Sequence, residues 1–239
     1  MEEKNQRSSI ILGISIFLGL AVLGYLLSNA AITFKEYERT VTVKGLSEQE
    51  HPADIIIWPI QFTEASNNLE DIYIALENNA GKVKSFLKEQ GIEEDEISMA
   101  SPVVTDKSAQ RYGGNNESQF RFVATQSVTV YSKKVDAVRA VRNKMADLGK
   151  QGVTLSGEEY QVQTEYLFTR LNEIKPQMIE EATKEAREVA TKFAEDSNSE
   201  LGKIKTAYQG QFSISPRDNN NPHIKNIRVV STVVYYLSD

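Results

Sequence analysis

Residues 10–27 read IILGISIFLGLAVLGYLL, eighteen positions without a charged side chain. An amphipathic core helix would show a polar face, and this run has none. At about 1.5 Å per residue it covers most of a ~30 Å hydrocarbon layer, and residues 28–32 complete the span. The chain therefore reads as a tail at residues 1–9 on the cytoplasmic side, a transmembrane anchor at residues 10–32, and a domain at residues 39–239. Tyr25 and Phe34 fall where aromatic side chains settle at a membrane interface.

A cleaved signal peptide is the competing reading. Lys4 and Arg7 form a short positive region, and Ser28-Asn29-Ala30 has small-x-small cleavage character. The apolar run is longer than the roughly 7–15 residues of a signal-peptide core, which favours retention of the anchor. Lys4 and Arg7 before the helix are matched by Lys35, Arg39 and Lys44 after it, so the flanking charges do not set the orientation. A short tail followed by a long domain favours export of the domain.

The remaining ~200 residues are enough for one large domain or two small ones. The chain is 40% hydrophobic and 25% charged, as in ordinary globular proteins. Its net charge is -6, and no Lys/Arg cluster offers the basic face that a duplex nucleic acid requires. Nucleic acid is thus not an expected partner. There are no cysteines, which excludes disulfides, thiolate metal sites, a cysteine nucleophile and a lipid-modified cysteine after the apolar run.

Periodicity divides the domain. Residues 39–46 alternate Val41 and Val43 with Thr40, Thr42 and Lys44, the period of a strand, and residues 47–51 read as a polar loop. Residues 54–64 (DIIIWPIQFTE) are a second strand, in which Pro59 predicts an edge or a bulge. Asn67 as N-cap and Glu70 as its capping-box partner open a helix with Leu69, Ile72, Leu76, Ala80, Val83 and Leu87 in one stripe, stopped by Gly91. Residues 97–107 and 119–131 read as two strands around a turn at Tyr112-Gly113-Gly114-Asn115-Asn116. Ser132 caps a second helix carrying Val135, Val138, Val141, Met145 and Leu148, and residues 152–166 form a further strand. After Thr169 or Asn172 as N-cap comes the longest helix, with Pro176 near its start and Met178, Ile179, Ala182, Ala186, Val189, Ala190 and Phe193 along it. Residues 204–214 and 224–237 close the chain as strands around the polar turn PRDNNNP.

The expected class is α+β, with antiparallel sheets and three helices in the order β-β-α-β-β-α-β-α-β-β behind the anchor. A helix followed by a strand pair occurs twice, which suggests an old duplication.

Chemistry is harder to find. His51 and His223 both read as exposed loop histidines, and neither has a second ligand at metal-binding spacing. Neither a Gly-x-Ser-x-Gly elbow nor a P-loop is present. The carboxylate pairs Glu70/Asp71, Glu158/Glu159 and Glu180/Glu181, and the run Glu93–Glu96, read as solvated surface. The residues therefore assign no catalytic, cofactor-binding or metal-binding position, and the expectation is a protein that is not an enzyme. The polar aromatic segment Leu167-Phe168-Thr169-Arg170-Leu171-Asn172 is the most unusual junction.

That segment, with Arg39-Thr40-Val41-Thr42-Val43-Lys44-Gly45-Leu46, Ala53-Asp54-Ile55-Ile56-Ile57-Trp58, Gln209-Gly210-Gln211-Phe212 and Arg228-Val229-Val230, resembles the SIMPL-domain family of bacterial envelope proteins, in its membrane-anchored branch. The resemblance spans nearly the whole chain. It implies an α+β domain, a bacterial inner-membrane location with the domain in the periplasm or on the extracytoplasmic side, and self-association. Relatives include a periplasmic immunogenic protein that forms a large ring or channel-like oligomer, and others are linked to oxidative-stress defence. It implies no catalytic residue. Three functions follow as expectations. The first is a non-enzymatic protein that self-assembles through the long helix or through edges such as residues 54–64 or 224–237, with a role in envelope integrity or stress defence. The second is a ligand-binding or chaperone-like envelope module. The third is a hydrolase with an unrecognised site.

Overall fold

A computed structural model of the chain describes residues 2–36, 39–109, 119–156 and 163–238. The N-terminal segment is one helix, α1 (Glu2–Glu36). Its 21 residues Leu12–Ile32 have a mean hydropathy of 1.8, and none is buried against protein. They extend about 32 Å at 1.5 Å per residue, long and apolar enough to cross a membrane.

Beyond α1 the order is β1 (Thr40–Pro52), β2 (Ile55–Ser66), α2 (Leu69–Glu89), β3 (Ile97–Met99), β4 (Val103–Asp106), β5 (Phe122–Ser132), α3 (Val135–Arg142), α4 (Ala146–Lys150), β6 (Glu165–Leu167), α5 (Leu171–Asp196), β7 (Glu200–Gln209), β8 (Ser213–Pro216) and β9 (Ile224–Ser238). The fold is mixed α and β with antiparallel sheets, as the residue pattern predicts. Four helices follow α1 among the described residues, where the pattern predicts three. The second predicted helix breaks at residues 143–145, because the apolar spacing runs on from Val141 to Met145 and Leu148 across a turn. Ser132 accepts the Lys134 amide at 2.9 Å but is not the N-cap, which is Lys134.

The chain gathers into two compact units. One is Glu50–Glu173 with Ile214–Ile227; the other is Met1–Gln49, Ile174–Ser213 and Arg228–Asp239.

In the first unit, β2 and β5 pair antiparallel from Ile56↔Ser132 to Ser66↔Phe122. Alternation puts Ile56, Trp58, Ile60 and Phe62 on one face with Ala124, Val128 and Val130, all buried. The buried stripe of α2, Ile72, Leu76, Ala80, Val83 and Leu87, joins this core, as do Val138, Val141 and Leu148. The N-cap of α2 is Asn68, whose Oδ1 accepts the Glu70 amide at 3.0 Å. The predicted cap, Asn67, instead accepts the Arg121 amide at 2.8 Å, and Leu69 stays exposed. Gly91 ends the helix region with φ +87°, the conformation that favours glycine.

Strand 97–107 is divided. The β3 register with β5 is Ile97↔Val130 and that of β4 is Val103↔Thr125, so one extra residue lies between them, at the bend holding Pro102. β2 is not an edge strand, since β5 and β6 flank it. Gln61 and Thr63 turn their backbone groups toward residues 154–156. Pro59 faces that same side, between those residues and the β6 partners of Ile55–Ile57, where its missing N–H breaks no pairing with β5. Of the predicted strand 152–166, the described residues hold β6 and a bridge between Leu155 and Phe62, and residues 157–162 lie outside the described residues. The turn expected at Tyr112–Asn116 and the Glu158/Glu159 pair lie outside the described residues.

In the second unit the sheet order is β1-β9-β7; β8 also pairs with β9, and all of it but Ser213 belongs to the first unit. β9 is therefore interior, and its expected role as an edge is corrected together with that of β2. β1 runs to Pro52, through residues 47–51 predicted as a polar loop, and Ser47 and Gln49 there have partners. Ser47 donates to Glu181 at 2.7 Å, and Gln49 donates to it at 3.1 Å. α5 buries Met178, Ala182, Ala186, Ala190 and Ala194, whereas Phe193 is exposed. Ala186 and Ala190 share a core with Val43, Val233 and Tyr235. Pro176 lies in the second turn of this helix, since α5 begins at Leu171. The predicted strand 204–214 is two strands, β7 and β8, separated near Gly210.

Both sheets place the strands of a β-α-β-β unit in the order first, third, second. β2, β5 and β3 with β4 do so around α2; β1, β9 and β7 do so around α5.

Candidate functional site

The junction singled out in the sequence, Leu167–Asn172, is held by one carboxylate. Asp54 follows β1 and accepts the Thr169 amide at 3.0 Å, the Thr169 hydroxyl at 3.1 Å and the Arg170 Nε at 3.3 Å. The Arg170 guanidinium lies 5.7 Å from the centre of the Phe168 ring, and the His51 ring lies 5.5 Å from it. Thr169 thus serves Asp54 rather than an N-cap. His51 lies in β1, partly covered, not in an exposed loop. No reacting geometry results: the carboxylate is engaged by donors on neighbouring backbone and fixes the turn into α5.

A second cluster surrounds an open cleft of about 570 Å³. Arg139 and Arg142 come from the last turn of α3, with Asn143 just beyond it. Tyr166 of β6 forms the floor, and its hydroxyl meets Arg142 Nη1 at 3.4 Å. Asn219, Asn220 and His223 come from the turn between β8 and β9. That turn is preorganised by Asp218, which accepts the Asn220 and Asn221 amides at 2.8 Å each and the Arg217 Nε at 2.9 Å. His223, predicted as an exposed loop residue, is partly covered, with its ring 6.1 Å from that of Tyr166. Burial, and then the positive charge of Arg139, push its pKa below the ordinary histidine value.

The sequence reading missed this cleft. Arg139 and Arg142 carry the signal of an i,i+3 pair of guanidinium groups flanking an apolar stripe, but their partners lie ~25 and ~80 residues away along the chain. Among the described residues, no three His, Asp or Glu side chains gather as metal ligands. Several of the carboxylates singled out in the sequence have other roles. Glu70 and Asp71 sit in the first turn of α2, where negative charge is favoured. Glu94 is bridged by Lys84 at 2.6 Å and Lys88 at 2.7 Å, Glu93 pairs with Lys134, and Glu96 accepts Ser132 at 2.7 Å.

These pairs make acid sensitivity predictable. Hydrogen bonds from Lys84 and Lys88 hold Glu94 at about 2, and the bond from Arg217 holds Asp218 at about 2. Both values are depressed from 4.5 and 3.8, so the stability these groups contribute is present above those values and is lost as the pH falls toward 2. Thermal unfolding of the full chain is expected to shift to lower temperature across that window. The shift should be shallower in roughly 1 M salt, because both ion pairs are exposed. Glu94→Gln should remove part of the slope.

The chain matches one family model, SIMPL, described as a protein of unknown function (DUF541), over residues 41–231. The chain belongs to the SIMPL family. The match begins in β1, ends in β9 and takes in both compact units of this SIMPL protein. A search of curated proteins finds no match.

Proposed function

We propose that this SIMPL protein is a non-enzymatic, membrane-anchored component of a bacterial envelope. In this reading its domain faces the extracytoplasmic side, and its subunits self-assemble in support of envelope integrity or stress defence. The observation that carries the reading is the fully exposed apolar helix Leu12–Ile32, followed by some 200 residues of folded domain. A helix of that length without protein cover is favourable only in lipid. Self-assembly is supported by the edge strand β7, on which Ile204 and Tyr208 stand exposed. An edge strand bearing apolar side chains offers both backbone groups and area to a second copy.

Light scattering and electron microscopy of the full chain in a mild detergent test the assembly. The reading predicts a discrete oligomer at micromolar concentration; a strict monomer would overturn it.

A further inference from the structure

We infer that the cleft between α2 and the bend joining β3 to β4 binds a small neutral aromatic molecule that carries one hydroxyl or N–H donor. The cleft holds about 440 Å³, the size of a small-molecule site. Its walls are mostly apolar: Tyr73 and Leu76 come from α2, Met99 from β3 and Pro102 from the bend. Tyr73 and Met99 remain 49% and 55% exposed, so a ring seated between them would remove apolar surface from water. An aromatic ring also stacks on tyrosine and meets a thioether favourably.

The donor is called for by Gln126, which lines the cleft and is only 8% exposed. Alternation along β5 puts it on the core face with Ala124 and Val128. Its Nε2 donates to the Ala100 carbonyl at 2.9 Å, which fixes the amide plane. Among the described residues its Oε1 receives no hydrogen bond. A buried acceptor left without a donor is costly, and a ligand hydroxyl or N–H would satisfy it. The charges at the rim call for no ionic group, because Lys84 is bridged to Glu94 at 2.6 Å and Glu77 is exposed to water.

Gly81 is the second sign of a site. It lies in the interior of α2, where glycine weakens a helix, and it lines the cleft. No heavy atom stands within 4 Å of where its Cβ would be, so packing within the chain does not require it. Its missing side chain keeps the cleft open. The ordinary alternative is a gap left where the edge of the sheet bends at Pro102. That accounts for the space, but not for the unshared Gln126 oxygen or for the glycine. The site is independent of assembly and adds a ligand to the anchored domain.

Amide-resolved NMR titration of the full chain in a nonionic detergent tests this, with p-cresol and 4-methylanisole as probes brought to matched free concentrations by dialysis. The two differ in the donor, which O-methylation removes. The expected result is saturable shifts of the Gly81 backbone amide and the Gln126 side-chain amide with p-cresol, and about tenfold weaker binding of 4-methylanisole. Gln126→Leu should bring the two probes to similar affinity. Gly81→Leu fills the cleft and should abolish the shift at Gln126, with thermal unfolding unchanged or raised because leucine favours the helix. Absence of saturable shifts with p-cresol, equal affinity of the parent chain for both probes, or undiminished binding in Gly81→Leu would overturn the site.

Discussion

Gly45→Val is expected to destabilise the protein by at least ~3 kcal/mol and to leave little folded chain at 37 °C. A Cβ built on Gly45 would fall on the Ala182 carbonyl oxygen and 2.5 Å from the Ala186 amide nitrogen. Those are backbone atoms of α5, which no rotamer change can move aside. The close approach explains two features at once: why β1 has a glycine in the middle of an alternating strand, and why α5 presents Ala182, Ala186, Ala190 and Ala194 at every fourth position. Small residues on both surfaces let helix and strand backbones meet. Urea unfolding of the full chain should show the loss as a lower midpoint with an unchanged slope. Gly81→Ala is the matched control. Gly81 lies inside α2 with open space where its Cβ would go, so alanine there should stabilise by roughly 0.5–1 kcal/mol.

The second large effect is expected at Asp54→Ala, at about 2–3 kcal/mol. The substitution removes one acceptor from three donors: the Thr169 amide, the Thr169 hydroxyl and Arg170 Nε. The Asp54 side chain is only 17% exposed, so water replaces those bonds incompletely, while the half-exposed Arg170 is rehydrated more readily. The value is therefore set below a simple sum of charged hydrogen bonds. Asp54→Asn keeps one acceptor oxygen and should lose roughly half as much, and Thr169→Val about 1 kcal/mol. If Asp54 served chemistry instead, Asp54→Ala would leave the urea midpoint near that of the parent chain.

The N-terminal apolar helix and the class of fold are legible because each rests on one strong pattern. Eighteen uncharged positions give a helix long and apolar enough to cross a membrane, and Val41, Val43 and the Ile-rich β2 fix their strands by period. Other features needed partners that are distant in sequence. Ser47 and Gln49 look like loop residues until Glu181, more than 130 positions away, accepts their hydrogen bonds. The break between α3 and α4 hid behind apolar spacing that spans it. β2 and β9 look like edges in the sequence because strand order is a property of pairing, which Pro59 and β-propensity do not report. The cleft was the least visible. His223 stands out as one of two histidines, but Tyr166, Arg142 and Asn220 acquire meaning only when α3, β6 and the β8–β9 turn lie together.

The family resemblance itself is carried largely by structural residues. Gly45 allows close approach to α5, Asp54 and Thr169 hold a turn, and a Cβ on Gly210 would stand 2.6 Å from the Val230 carbonyl oxygen. The features that identify the chain therefore describe how the domain is built, and leave function to be read from the N-terminal apolar helix, the sheet edge and the clefts.

Anchoring with an exported domain is tested most directly by alkaline extraction of membranes combined with protease treatment of spheroplasts. The account predicts that the full 26.8 kDa chain stays with the membrane after extraction and that external protease removes the domain while a cytoplasmic marker survives. Release of a chain shortened to a new N-terminus after Ala30, or a domain protected until the cells are lysed, would contradict it.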